Sequence, residues 1–252
     1  MKLADTNYNI LSLVKSSFIY GIGGLINQAL GILILPLFTT YLSPTDFGIS
    51  SILAVSSAII VSLFSLGVGT SFGLCYYDNV KNQAENQRKL FGSSIILMSC
   101  SSAVLLMLLV LFESSLSSFL FSSYEYLNFI RLYFVYTVCS LLTSPVLLKF
   151  QFEEKKNTYI FLTLISTGLS LVISLVLVVG LKYGLKGYIY GLVLGKLLGT
   201  TFCLIAAFQK TGFFWSKKTT ISLLVHGVPI IPSALIIYFL QEGNVFFITK
   251  IL

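Results

Sequence analysis

The chain has 252 residues, of which 56% are hydrophobic and only 10% charged, with a mean hydropathy of +0.92 and a net charge of +7. A soluble domain carries roughly a quarter charged residues, so lipid must be the solvent for most of this surface, and a soluble domain is excluded. The cations do not build a nucleic-acid patch either: they fall in twos and threes between apolar runs, as cytoplasmic loops of a membrane protein do.

A bilayer core needs about 20 apolar residues as helix. Seven stretches qualify: 18–42, 47–73, 91–112, 126–148, 158–180, 187–209 and a seventh opening near Leu224. The first is too long for a cleavable signal and reads as a retained span. It contains Pro36, which removes a backbone hydrogen bond and can bend the helix. It ends at Ser43-Pro44-Thr45-Asp46, a helix start: Ser43 can cap, Pro44 suits the first helical position, and Asp46 sits where a capping-box acid would. Spans one and two therefore meet in a tight turn.

The remaining connections are short. With the N-terminus cytoplasmic, inner segments hold Lys2, Lys15, Lys81, Arg88, Lys89, Lys149, Lys155, Lys156, Lys210, Lys217 and Lys218, and outer loops hold only Lys182 and Lys186. Eleven against two fixes that orientation.

Polar groups at membrane depth are the functional candidates, because ionic groups there cost ~2.5–3.5 kcal/mol on insertion scales and face a bundle interior or a wet cavity. Lys196 leads, nine positions into span six. Arg131 lies near the outer end of span four, close enough to snorkel. Asn27 and Gln28 sit midway along span one, where they can line a polar cavity or join helices. Glu242, Asn244, His226 and Pro36 are candidates for coupling or gating. Gly187, Gly191, Gly195 and Gly199 recur every four residues in span six, a seam on which a neighbouring helix can approach closely. Cys75, Cys100, Cys139 and Cys203 have no close pair and read as packing residues.

No Walker-type loop is present, and no His or Cys set has metal-ligand spacing. The longest inner connection carries only Asp78 and Glu85 as acids, too little for a membrane transferase. The chain is expected to be a conduit and not an enzyme, with no cofactor.

Three passages carry a family resemblance: "LILPLFTTYLSPTDFGI" across the first turn, "SLGVGTSFGLCYYDN" where span two enters its inner loop, and "HGVPIIPSALI" opening span seven. Together they resemble the polysaccharide transporters and O-antigen flippases of the multidrug/oligosaccharidyl-lipid/polysaccharide superfamily. The resemblance implies an all-α integral membrane protein built from two six-helix lobes around a cavity open alternately to each side. On that pattern the chain divides into a cytoplasmic segment (1–17), an N-terminal six-helix lobe (18–209), an inter-lobe linker (210–223) and the first helix of a second lobe (224–252). It is then truncated after the seventh span.

The implied substrate is a polyprenyl-pyrophosphate-linked oligosaccharide for O-antigen, lipopolysaccharide or other surface polysaccharide. Lys196 and Arg131 would serve its phosphates, and Asn27 and Gln28 its sugars. Implied partners are the lipid bilayer of the cell membrane and a polysaccharide polymerase; nucleic acid is not among them. Relatives often carry an Asp-Arg pair where this chain has Asn244-Val245, which weakens a charged gate there. Two other readings stand beside the flippase: an ion-coupled multidrug or metabolite extruder of the same superfamily, and a non-transporting remnant. The extruder is disfavoured because no acid lies deep in the first six spans.

Overall fold

The computed structural model describes residues 38–78, 83–121, 123–211 and 214–240, together with Ile32 and Pro36. Its elements are α1 (Pro44–Phe64), α2 (Val68–Asp78), α3 (Gln83–Phe121), α4 (Leu127–Phe152), α5 (Lys156–Leu175), a π turn (Val176–Gly180), α6 (Gly184–Thr211), α7 (Lys217–Gly227), a 3₁₀ turn (Val228–Ile230) and α8 (231–240). No strand occurs among the described residues. Among the described residues, six helical stretches are long and apolar enough to cross a membrane, and they match expected spans two to seven. Span one lies outside the described residues except at its outer end.

The first turn forms as its residues dictate. Asp46 N–H donates to Ser43 Oγ at 3.2 Å and Ser43 N–H donates to Asp46 Oδ2 at 3.0 Å, a reciprocal capping box with Pro44 in the first helical turn. Span two differs from the continuous helix expected. It breaks at Ser65-Leu66-Gly67, where Leu66 and Gly67 both take left-handed backbone (φ 50° and 65°), and then runs on as α2 to Asp78. The break leaves the Phe64 carbonyl without its usual helical donor. Ser101 Oγ on α3 donates to it at 2.5 Å, so a neighbouring helix satisfies what lipid could not.

Small residues set the closest packing. On α5, Ser166, Ser170 and Ser174 face Gly199, Gly195 and Gly191 of the antiparallel α6 in register. A Cβ on Gly199 would lie 2.6 Å from the Ser166 Cα, and one on Gly195 or Gly191 would collide with the backbone of Ser170 or Ser174. Gly187 continues the seam against the Leu177 carbonyl of the π turn, at 3.0 Å. The glycines were legible in sequence; the serine ladder opposite them was not expected. Hydroxyls also join α4 to its neighbours: Ser57 and Thr137 share a 2.6 Å hydrogen bond, and Thr143 and Thr200 share one of 2.9 Å.

The seventh span begins at Lys217, seven residues ahead of Leu224, so the later part of the expected linker 210–223 is helical. Pro229 explains the 3₁₀ turn that follows, and Pro232 opens α8 where a missing N–H costs nothing. This span is the least enclosed: only 11% of its apolar window is buried, against 33–50% for the other five. It is anchored part-way along by reciprocal glycines, since a Cβ on Gly67 would meet the Gly227 carbonyl and one on Gly227 the Leu66 carbonyl. Gly67 thus serves both a left-handed turn and a close approach.

Candidate functional site at mid-depth between α4 and α6

Lys196 stands about 18 Å along α6 from Gly184 at the standard helical rise. Its side chain turns toward α4, with Nζ 5.7 Å from the centroid of the Tyr136 ring, and is half-buried. Among the described residues it takes part in no ion pair. The aromatic face is an electrostatic partner for it, in an interaction worth ~0.5–2 kcal/mol depending on desolvation. The ring belongs to a tyrosine group: Tyr133 and Tyr136 lie 5.8 Å apart on α4. Two turns outward on the Lys196 face of α6, Tyr188 meets Phe38 edge-on at 5.0 Å. That face of α6 thus looks toward α4 and the end of the first span. A cation held by a ring quadrupole is stabilised without being neutralised, which leaves it competent to attract an anion.

The other candidates lie elsewhere. Arg131 is paired bidentately with Glu113: Nε donates to Oε2 at 2.7 Å and an η nitrogen to Oε1 at 2.6 Å. This clips α3 to α4 near their outer ends and engages the charge that sequence reasoning assigned to a cavity. His226 was expected at the inner end of span seven but lies nine residues past its start at Lys217; it is exposed and donates from Nδ1 to the Ser222 carbonyl at 2.8 Å. Pro36 is exposed, and its carbonyl accepts from the hydroxyls of Thr39 (2.8 Å) and Thr40 (3.0 Å). Asn27, Gln28, Glu242 and Asn244 lie outside the described residues. The structure brings Lys196 together with Tyr136 and does not bring it to Arg131, His226 or Pro36.

Lys149 is the residue that sequence reasoning missed. Counted there with the inner loop, it is instead 3% exposed. Its ammonium lies 4.7 Å from the Phe91 ring centroid and 5.1 Å from that of Phe150, and donates to the Ala207 carbonyl at 3.3 Å. It joins α3, α4 and α6 at the inner end of the lobe. The signal was local: Lys149 follows Val146-Leu147-Leu148 and precedes Phe150, so the apolar run does not end where the charge appears.

Known proteins place this geometry in context. A sequence profile of a family described as "Polysaccharide biosynthesis protein" matches residues 13–252. No curated protein sequence matches significantly. Among solved structures, the fold is similar to a transporter of the MOP superfamily from Pyrococcus furiosus, described as having a binding pocket of reverse polarity that suggests a different function (TM-score 0.71, 18% identity, 88% of this chain and 52% of that one). It is also similar to an outward-facing multidrug resistance transporter of the MATE family (0.70, 18%, 88% and 53%) and to a MATE protein in a straight conformation (0.70, 18%, 88% and 52%). The chain spans about half the length of these solved structures.

Proposed function

We propose, for a chain that belongs to the polysaccharide biosynthesis protein family and folds as a multi-pass membrane transporter of the MOP superfamily, that it takes part in flipping a polyprenyl-pyrophosphate-linked oligosaccharide across the cell membrane. The observation that carries this reading is Lys196: a cation at mid-depth, resting on an aromatic ring and unneutralised by any described acid. A lipid-linked diphosphate is an anion that must pass that depth, and an ammonium is its elementary partner. Of the described acids with placed side chains, Asp46, Glu85, Glu125, Glu153 and Glu154 stand near helix ends, and Glu113 is paired with Arg131. A cation extruder would instead want a deep carboxylate.

In this reading the lobe spans 18–209 and works opposite a second lobe that α7 and α8 begin. Tyr136 parks the ammonium between substrates, and phosphate oxygens displace the ring. Arg131 contributes only when Glu113 releases it. Asn27 and Gln28 stand as hydrogen-bond partners for sugars on the sequence argument alone. The N-terminus faces the cytoplasm, and a polysaccharide polymerase receives the flipped unit.

The test is complementation of a strain lacking its own glycan flippase, with surface polysaccharide as the readout and full-length context supplied for the second lobe. Lys196→Met should lower transport by at least an order of magnitude while membrane-inserted protein is unchanged, and Lys196→Arg should retain part of it. Full transport by Lys196→Met would sink the reading.

A further inference from the structure

At the inner end of the lobe, α7 lies against α2 and α3, and a cavity of about 230 Å³ opens where they meet. Asn86 and Lys89 of α3 line one side, and Ser216, Lys218, Thr219 and Ser222 the other. Two lysines from different helices therefore face one hollow whose lining contains no acid. Lys89 is also in contact with Glu85, at 2.6 Å. That is an exposed i,i+4 pair of the weak kind, which an entering anion can displace.

The hollow is rigidly built. Ser93 Oγ accepts from Ser216 N–H at 3.2 Å and donates to the Ser216 carbonyl at 3.3 Å. Gly92 lets the chain at Phe214 approach, because a Cβ there would strike the Phe214 carbonyl.

The surroundings say which anion fits. Exposed aromatic and aliphatic side chains lie within two residues of the lining along the chain: Leu74, Tyr77, Phe214, Trp215 and Ile221. Trp and Tyr beside lysines mark the headgroup level of a bilayer. We infer that this hollow binds the phosphate diester of an anionic phospholipid headgroup, seating α7 on the inner leaflet. The site is separate from the Lys196 site and does not rest on the flippase reading.

Trp215, the sole tryptophan, adjoins the site and donates from Nε1 to Thr220 Oγ1 at 3.1 Å, so its emission reports on the site. The experiment uses the full chain in phosphatidylcholine nanodiscs in which phosphatidylglycerol progressively replaces the neutral lipid. A saturable change in Trp215 emission is expected. The double variant Lys89→Gln/Lys218→Gln should need on the order of tenfold more phosphatidylglycerol, in line with the loss of two cations near an anionic surface. Lys89→Arg/Lys218→Arg should restore the wild-type midpoint. Lys155→Gln/Lys156→Gln, an equal charge change in the connection between α4 and α5, should not move it. Inorganic phosphate should neither reproduce the change nor compete with it. The inference is overturned if the Lys89/Lys218 and Lys155/Lys156 variants shift alike, if wild type does not respond, or if inorganic phosphate alone saturates the signal.

Discussion

Two lysines in this lobe show how much a side chain's setting decides. Lys196 rests on one ring and is half-buried, whereas Lys149 is closed in by two rings and a carbonyl from three helices. The second arrangement is a structural strut, because an ammonium so enclosed can receive no ligand without unpacking α3 from α4. Lys149→Ala should therefore destabilise the protein by about 2–4 kcal/mol, from lost side-chain packing plus the cation–π term. Lys149→Met, which keeps the volume and removes the desolvated charge, should cost less than ~1.5 kcal/mol. Unfolding by denaturing detergent in mixed micelles measures both, and equal losses for the two variants would assign the stability to the charge. At this scale the capping box was legible because Ser43, Pro44 and Asp46 act on their own backbone. The burial of Lys149 was only partly legible: the apolar run continuing through Phe150 pointed to it, but Phe91 and Ala207, which enclose it, come from distant parts of the chain. The pairing of Arg131 was hidden for the same reason, its partner Glu113 lying on another helix.

Helices were easier to read than their irregularities. Spans two to seven follow from hydrocarbon thickness and an uninterrupted apolar run, and such runs are local. The break at Ser65–Gly67 was hidden because Leu66 is an unremarkable helix former; only its contact region with Gly227 stabilises the left-handed turn. The α5–α6 seam offers a matched experiment. Gly195 meets backbone across the seam, while a Cβ on Gly168 of α5 would meet nothing within 4 Å. Gly195→Ala should destabilise by about 1–3 kcal/mol through overpacking. Gly168→Ala should be neutral or stabilising by up to ~1 kcal/mol, the usual gain from replacing glycine inside a helix. The two variants differ from wild type by the same methyl, so the difference between them in the micelle unfolding assay isolates the close approach. A Gly195→Ala protein as stable as Gly168→Ala would mean that α5 and α6 are not packed in this register.

For the whole molecule, the distribution of charge links fold to direction. Lys89, Lys155, Lys156, Lys217 and Lys218 belong to one end of the lobe, and Lys182 and Lys186 lie at or beside the connection between the π turn and α6 at the other. Lysines held in short loops resist translocation, so the lysine-rich end should stay in the cytoplasm. That orientation also puts the hollow at Lys89 and Lys218 on the cytoplasmic leaflet, where anionic lipid attracts cations. Single cysteines at positions 155 and 182 in a chain whose four native cysteines are replaced by serine or alanine test it directly. In intact cells a membrane-impermeant maleimide should label position 182 and leave position 155 unlabelled until the membrane is permeabilised. The reverse pattern would invert the lobe and leave both anion sites facing the wrong compartments. Labelling of both positions from outside would mean that α5 does not cross the membrane, because a single crossing between those sites puts them on opposite faces.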